Sequence, residues 1–358
     1  MGLATYDKKA LKAYQKSGGN FMTGITMSLR KESDLSMFYY PGISAVLEKI
    51  LEKPEVQRKM CSHHKTFGLI STRPASYYPL LTAKAALLSS LAQVNVIPLL
   101  IRYENLANLP HILDQISINF QAIICTDFKA TEKRFLEGTL HERGLPVVFH
   151  QRMEAAAVMA SINNAARFLK KSVKKAQITI EGTDEVIFDL LGLLKREGAD
   201  NVTLIDHKGA LYHKRPNMNR EKIELMKMIE SKKDSSTRGE LLKKTDIYIS
   251  SMKENLTGET TDLLPEKAVI ISLRSQVVEK HGKQALISTL PQLPNHLTDL
   301  HITAGIVSAI AEGKKYSEKT LSQAIKGLAA IYKSPRAGQL LPGLLEKNLA
   351  KKIAKSIS

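Results

Sequence analysis

Residues 177–206 read QITIEGTDEVIFDLLGLLKREGADNVTLID, and their pattern predicts a strand, a helix and a second strand. A run over 177–180 that is rich in β-branched residues is followed by a turn at Gly182 and a helix over 184–196. A second apolar run over 202–205 ends at Asp206. Strands joined by a helix of this length pair in parallel, so the fold class is α/β.

The same alternation continues on both sides of this unit, which predicts a mostly parallel sheet covered by helices. The final two helices follow the last strand. The predicted strands are 67–70, 94–101, 122–125, 147–149, 247–250, 269–273 and 286–289, and the predicted helices are 44–60 with a break at Pro54, 80–92, 107–116, 130–143, 154–168, 303–313 and 317–333.

Length and patterning predict two domains and a terminal helix. The chain has 358 residues, which at about 150 residues per domain is enough for two cores. The boundaries are placed at 1–152, 153–335 and 336–358. In the last segment Leu345, Leu349, Ile353 and Ile357 recur every four residues between lysines, which predicts a basic amphipathic helix. A helix docked on the protein body is favoured over one that lies on a membrane surface.

The net charge of +17 has two interpretations. Lysines are spread over the chain, with a dense patch at 170–175, and aromatic residues make up 6%. A solvated lysine-rich surface is favoured, and attraction to an acidic protein or a nucleic acid stays open. Two cysteines are too few for a disulfide scaffold, which favours the cytoplasm or another reducing compartment. The sequence contains no run of about 18 apolar residues, so no transmembrane helix is predicted.

Several segments carry a resemblance to a known family. In order along the chain they are DLSMFYYPGI at 34–43, TAKA at 82–85, GLPVVFH at 144–150, LIDHKGALY at 204–212 and PN at 294–295. They resemble D-L-S-x-x-Y-T-P-G-V, E-G-K-A, I-P-V-F-H, L-V-D-R-K-G-x-I-Y and P-N of the malic enzymes. The chain is thereby identified as a divergent relative of the prokaryotic-type NAD(P)-dependent malic enzymes. The resemblance implies an N-terminal malic-enzyme α/β domain followed by a Rossmann-like domain with a doubly wound parallel sheet.

The family reaction, oxidative decarboxylation of malate to pyruvate and CO2, implies an acid/base pair, a divalent metal and a nicotinamide. The resemblance places Tyr39 at the proton-donating tyrosine, Lys84 at the base and Asp127 at the acid that orients the lysine. A lysine acts as a base only where its surroundings favour the neutral amine. The residues alone leave another interpretation open, in which Tyr39 anchors a Pro-Gly turn and Lys84 is an ordinary helix-surface lysine.

The positions that hold the metal in the family carry other residue types here. Magnesium and manganese prefer carboxylate oxygens, and the family supplies one glutamate and two adjacent aspartates. This chain has Thr126, Gln151 and Arg152 at those positions. Arg152 reverses the local charge, so no metal ion is expected. Binding of a substrate carboxylate by Arg152 is a less favoured hypothesis.

The cofactor loop departs from the family pattern as well. A pyrophosphate needs G-x-G-x-x-G before the helix, and only Gly182 remains of it. Asp184 and Glu185 add two negative charges there and suit a helix N-terminus as capping residues. Asp206 remains at the ribose-binding position and is equally suited to capping a turn. NAD(P) is therefore not expected to bind.

Three functional hypotheses follow. The first is a homodimeric binding or scaffold protein without the family reaction, without a cofactor and with an acidic protein or nucleic acid as partner. The second is a working NAD(P)-dependent malate dehydrogenase (decarboxylating), which needs NAD(P) and Mg²⁺ or Mn²⁺. The third is metal-independent proton transfer on a small keto acid by Tyr39 and Lys84.

Overall fold

The structure is a computed structural model, and it describes residues 65–142, 146–213, 215–229, 236–274, 283–290 and 293–358. The chain divides into two compact units. Unit 1 comprises Met1–Val147 with Ile310–Gly313, and unit 2 comprises Val148–Ala309 with Lys314–Ser358.

Unit 1 contains a four-stranded sheet in the order β2-β1-β3-β4. Strand β1 pairs in parallel with both β2 and β3. Its core strands are short apolar runs whose residues are buried throughout, as in a sheet covered on both faces. The strands are β1 Thr66–Ser71, β2 Asn95–Leu100, β3 Ala122–Cys125 and β4 Val147–Phe149, and the helices are α1 Tyr78–Ala92, α2 Leu109–Ser117 and α3 Ala130–Glu142.

Unit 2 contains a six-stranded sheet in the order β10-β9-β8-β5-β6-β7. All neighbours pair in parallel except β7, which is antiparallel to β6. The strands are β5 Ile178–Glu181, β6 Val202–Asp206, β7 Gly209–Ala210, β8 Ile247–Ser250, β9 Val269–Ser272 and β10 Ala285–Ser288. The helices are α4 His150–Phe168, α5 Glu185–Arg196, α6 Arg220–Met226, α7 Arg238–Leu242, α8 Gly258–Leu263, α9 Leu300–Ala311, α10 Glu318–Ala329 and α11 Leu349–Ser356.

This architecture confirms the predicted α/β class and the Rossmann-like parallel sheet. Helix α4 lies deep in unit 2, and its alanines at 155–157 are fully buried. Their small side chains let neighbouring elements approach closely. It begins at His150, four residues before the predicted start, since the chain passes into it directly from β4. The predicted helix over 44–60 lies outside the described residues.

The C-terminal helix is shorter than the segment 336–358 assigned to it. Only Leu349–Ser356 is helical, because Pro342 and Gly343 interrupt the preceding residues. The helix packs on unit 2 through Ile353, which is fully buried. A Cβ added at Gly305 would lie 2.4 Å from Ile353 Cγ2, so the glycine permits this contact.

Four short elements, β7 and α6–α8, were not predicted, because two to seven residues are too few for an apolar period to be recognised. Among the described residues, no helix is both long and apolar enough to cross a bilayer.

Candidate functional site

A polar cluster lies in unit 1 at the carboxyl end of β3. Lys84 on α1 places its Nζ 2.8 Å from Thr126 Oγ1 and 3.3 Å from Asp127 Oδ2. Thr126 Oγ1 donates to the same carboxylate oxygen at 2.8 Å. Lys84 and Asp127 are 23% and 24% exposed, so the cluster is accessible from solvent. Two of the predicted catalytic residues, Lys84 and Asp127, therefore lie in contact.

Asp127 adopts a backbone conformation that is unusual for a non-glycine residue. Its φ of 56° lies in the left-handed region, which costs a non-glycine residue about 1 kcal/mol or more. The preceding Thr126 N–H donates to the carbonyl of Ile70 at 2.9 Å and continues the pairing with β1. The chain thus turns sharply where β3 ends, and this turn directs the Asp127 carboxylate towards Lys84.

Tyr77 is a member of this cluster that the sequence analysis missed. Its hydroxyl donates to Asp127 Oδ2, the oxygen that also faces Lys84. Tyr77 directly precedes α1 and stands seven residues before Lys84, a spacing that puts both on one face of a helix. That spacing was the available signal. The predicted proton donor, Tyr39, lies outside the described residues.

Glu132 lies near this cluster in the sequence but has a structural role. It is 2% exposed, and its carboxylate accepts from Thr72 Oγ1 at 2.9 Å and from the Tyr103 hydroxyl at 2.5 Å. The hydrogen bond to Glu132, with burial, raises the pKa of Tyr103 to about 12. Burial likewise raises the pKa of the Cys125 thiol far above its usual range, which makes this residue an unreactive core side chain.

The residues at the family's metal positions do not fit a divalent cation. The Thr126 hydroxyl is engaged by Lys84 and Asp127, and Gln151 is a buried amide. Arg152 forms ion pairs with Asp189, at 3.4 Å, and with Glu318. A guanidinium cannot ligate a metal, and here its charge neutralises two carboxylates. The described residues include no group of three or more histidine, cysteine, aspartate or glutamate side chains suited to a metal.

The turn after β5 packs too tightly for a side chain. Gly182 has a φ of 129°, and a Cβ added there would lie 1.9 Å from Ser251 Oγ. Ser251 follows β8, so the two neighbouring strand ends touch at this point. Gly182 is therefore required by the packing of the sheet edge, whatever binds there.

Helix α5 begins at Glu185, three residues after Gly182, and is capped by an acidic residue. Asp184 is its N-cap and accepts from the Ile187 N–H at 3.3 Å, in agreement with the predicted capping role. Glu185 follows in the first turn. The positive end of the helix dipole is thus already compensated by carboxylates.

Arg274, after β9, joins two carboxylates of unit 2. Its Nη1 lies 3.0 Å from Glu154 Oε1, and its Nη2 contacts Asp184 Oδ2. We call Glu154, Arg274 and Asp184 the arginine triad. Burial raises the pKa of Glu154 and of Asp184, and the positive charge of Arg274 opposes this rise in both. The triad occupies the carboxyl edge of the parallel sheet, where ligands of such folds bind.

Asp206, at the end of β6, is held by two cations and a backbone amide. It pairs with Arg215 at 2.9 Å and with Lys222 at 2.6 Å, and it accepts from the Lys208 N–H at 2.9 Å. Burial opposes its ionisation, but the hydrogen bonds from Lys222, Lys208 and Arg215 outweigh burial and lower the pKa of Asp206 to about 2.

The residues present do not fit a dinucleotide pyrophosphate. One glycine remains in the turn, the helix N-terminus carries Asp184 and Glu185, and Arg274 is already neutralised by carboxylates. A dianionic group there would face the charge of Asp184 directly.

Comparisons with known proteins agree with this fold. The chain is similar to the NAD-dependent malic enzyme of Thermotoga maritima, with a TM-score of 0.81 and 20% identity over 97% of this chain and 98% of that chain. It is 20% identical to the bifunctional malic/malolactic enzyme of Bacillus subtilis over 98% of this chain and 92% of that protein. Its similarity to malic enzymes therefore extends over nearly the whole chain. No protein-family model matches it.

Some of the curated malic enzymes that it matches are much longer than this chain. The probable NADP-dependent malic enzyme of Rickettsia prowazekii is 26% identical over 74% of this chain but only 36% of its own length. At these identities the match to malic enzymes shows the fold alone. The roles of Lys84, Asp127, Gly182 and Asp206 in this member stay predictions.

Proposed function

We propose that this malic-enzyme relative is a binding or scaffold protein that does not decarboxylate malate oxidatively. The observation that carries this proposal is the arginine triad at the carboxyl edge of the second sheet. Breaking a buried ion pair by removing one partner costs about 3–5 kcal/mol, so a ligand that displaced Arg274 would bind weakly. The ion pairs of Arg152 support the same conclusion for the metal.

The decisive experiment is isothermal titration of NAD, NADP, Mn²⁺ and malate into the purified protein. We expect no binding at concentrations up to several times the usual upper KM of about 1 mM, and no Mn²⁺-dependent release of pyruvate. A malic enzyme with an intact G-x-G-x-x-G loop serves as the positive control. Saturable NAD(P) binding together with pyruvate release would overturn the proposal and favour a working malate dehydrogenase.

The role proposed here suits a homodimer in the cytoplasm or another reducing compartment. The dimer rests on the family resemblance, and the compartment on cysteine usage, with Cys125 buried as a free thiol. Sedimentation equilibrium would measure the oligomeric state directly, and a monomer at all concentrations would contradict the dimer.

A second candidate function is proton transfer on a small keto acid without metal or nicotinamide. The contacts of Lys84 with Thr126 and Asp127, and of Tyr77 with Asp127, favour it. In this reaction Lys84 acts as the base and takes a proton from the methyl carbon of pyruvate, while a tyrosine hydroxyl gives its proton to the carbonyl oxygen. The enol then reverts by the opposite transfers, after the ammonium has exchanged its proton with solvent.

Exchange of pyruvate methyl protons in D2O with a metal chelator present, followed by proton NMR, tests this candidate. Lys84→Ala should abolish exchange, and Tyr77→Phe should slow it by about 100-fold if Tyr77 is the acid, as is typical for loss of a general acid. Tyr78→Phe is the matched control, because Tyr78 is the adjacent tyrosine and is 48% exposed. Exchange that persists in Lys84→Ala would eliminate the candidate.

A further inference from the structure

The amino-terminal ends of the parallel strands bring lysines from distant parts of unit 2 to one edge of the sheet. Strands β10, β9, β8 and β5 are neighbours and parallel, so the turns that precede them lie side by side. This edge is opposite the one that carries the arginine triad. We call it the basic edge, and its lysines, all exposed, are Lys170, Lys171, Lys174, Lys175, Lys243, Lys244, Lys267 and Lys283.

Only some of these charges are neutralised. Three of the lysines pair with carboxylates of the neighbouring turns: Lys171 with Asp246 at 2.7 Å, Lys174 with Asp200 at 3.7 Å and Lys283 with Glu266 at 3.2 Å. The other five form no ion pair within the described part of the chain; they are Lys170, Lys175, Lys243, Lys244 and Lys267.

The composition of the basic edge favours one kind of partner. The described turns 169–177, 243–246, 264–268 and 283–284 contain no aromatic residue. None of the exposed large hydrophobic side chains lies in these turns. Protein interfaces are anchored by buried aromatic and apolar groups, and single-stranded nucleic acids stack on aromatic rings. A regular row of phosphates needs neither.

We propose that the basic edge binds the phosphate backbone of double-stranded nucleic acid without reading its bases. Four neighbouring strands span three spacings of about 4.8 Å, or about 14 Å. Along duplex DNA this length contains about eight phosphates of the two strands together, so five unpaired lysines can each meet one. This inference rests on the proposed binding function and names the class of partner.

The test is fluorescence anisotropy of a labelled duplex DNA titrated with the intact protein at two salt concentrations. Five phosphate contacts predict a slope of log K against log salt of about −4.5, so affinity should fall about 500-fold between 50 and 200 mM salt. The triple variant Lys170→Glu, Lys175→Glu, Lys244→Glu should reduce the slope to about −2 and the affinity at least tenfold. All three side chains are exposed, and thermal unfolding checks that the variant folds.

The matched control makes a change of charge at the opposite edge of unit 2: Lys208→Glu, Lys253→Glu, compared with the double variant Lys170→Glu, Lys175→Glu at the basic edge. Lys208 follows β6 and Lys253 follows β8, and both are exposed. If this control weakens binding as much as the double variant at the basic edge, binding follows net charge alone and the proposal is wrong.

Two further measurements distinguish duplex DNA from an acidic protein and from single-stranded DNA. Competition by polyglutamate at equal charge concentration would overturn the proposal in favour of an acidic protein, and tighter binding of the single strand would overturn the duplex assignment. Absence of salt-dependent binding to DNA would refute this inference. It would leave the titrations of NAD(P) and Mn²⁺, and thus the proposed loss of the family reaction, unaffected.

Discussion

Replacement of Arg274 by leucine removes the only cation of the arginine triad and leaves two carboxylates facing each other. Glu154 is 10% exposed and Asp184 is 27% exposed, while Arg274 itself is 31% exposed. Breaking a fully buried pair costs about 3–5 kcal/mol. Because two of the three groups are partly solvated, we expect a loss of about 2–3 kcal/mol in the free energy of unfolding at pH 8.

The pH dependence identifies the cause of this loss. Burial already raises the pKa of Glu154 and Asp184 in the native protein, and loss of Arg274 raises both further. The pKa of such a carboxyl group is about 4 in the unfolded chain and higher in the native protein. As the pH rises above about 4, the unfolded state ionises first, so the native protein loses stability. The variant should therefore lose less stability at pH 5, where Glu154 can take up a proton, than at pH 8.

Urea unfolding of wild type and variant at both pH values measures these changes, with the m-value as a check on two-state behaviour. Adding Glu154→Gln to Arg274→Leu should restore part of the stability at pH 8. Arg196→Leu is the surface control: it also breaks an arginine–carboxylate pair, but Arg196 and Glu318 are 47% and 57% exposed, so it should cost less than about 1 kcal/mol. An equal loss in Arg274→Leu at pH 5 and pH 8 would refute the reasoning.

Three further predictions concern residues of unit 2. Asn295→Ala should cost about 3 kcal/mol in chemical unfolding. This 2% exposed amide accepts two backbone N–H groups at 2.8 and 3.4 Å and donates to two carbonyls at 2.8 and 2.9 Å, and all four groups lose a partner. A loss below about 1 kcal/mol would contradict this. Gly305→Ala should cost about 1–3 kcal/mol, because the new Cβ would clash with Ile353. Gly192→Ala is the control: nothing lies within 4 Å of its new Cβ, so it should be neutral or stabilising by up to about 1 kcal/mol. The thermal unfolding midpoints of the two variants measure this difference. Asp206→Asn should cost about 1 kcal/mol at pH 6, after allowance for solvent screening. The lowered pKa of Asp206 gives stability that is present above about pH 4 and lost towards about pH 2, so urea unfolding at pH 3 should show a smaller difference, and an equal one would contradict the assignment.

The sequence predicted the elements that have a strong local signal. Strand β3, residues 122–125, and strand β8, residues 247–250, match their predicted bounds, since a short buried run between polar residues has few other interpretations. The C-terminal helix was predicted too long, because the four-residue apolar repeat continues through Leu345. That side chain is 85% exposed, so the repeat there does not report packing.

Site residues were predictable only where a pattern of residue types remained. Lys84 and Asp127 could be placed by resemblance, and the structure brings them to 3.3 Å. No sequence signal pairs Arg274 with Glu154, 120 residues away, since an ion pair between distant segments depends on the sheet order. Tyr77 was missed because a tyrosine before a helix is usually an anchor, and only its contact with Asp127 distinguishes it.

The two edges of the second sheet have opposite electrostatic character, and this difference unites the proposals. At the carboxyl edge, arginines meet carboxylates: Arg152 with Asp189, Arg274 with Asp184, and Arg215 with Asp206. Such pairing fixes side chains and leaves little net charge for a ligand. At the amino edge, five exposed lysines lack ion pairs within the described residues, so their charge is available to a partner. The carboxyl edge, where ligands of such folds bind, is neutralised in this chain. On this physical basis, we expect the chain to act through the amino edge instead.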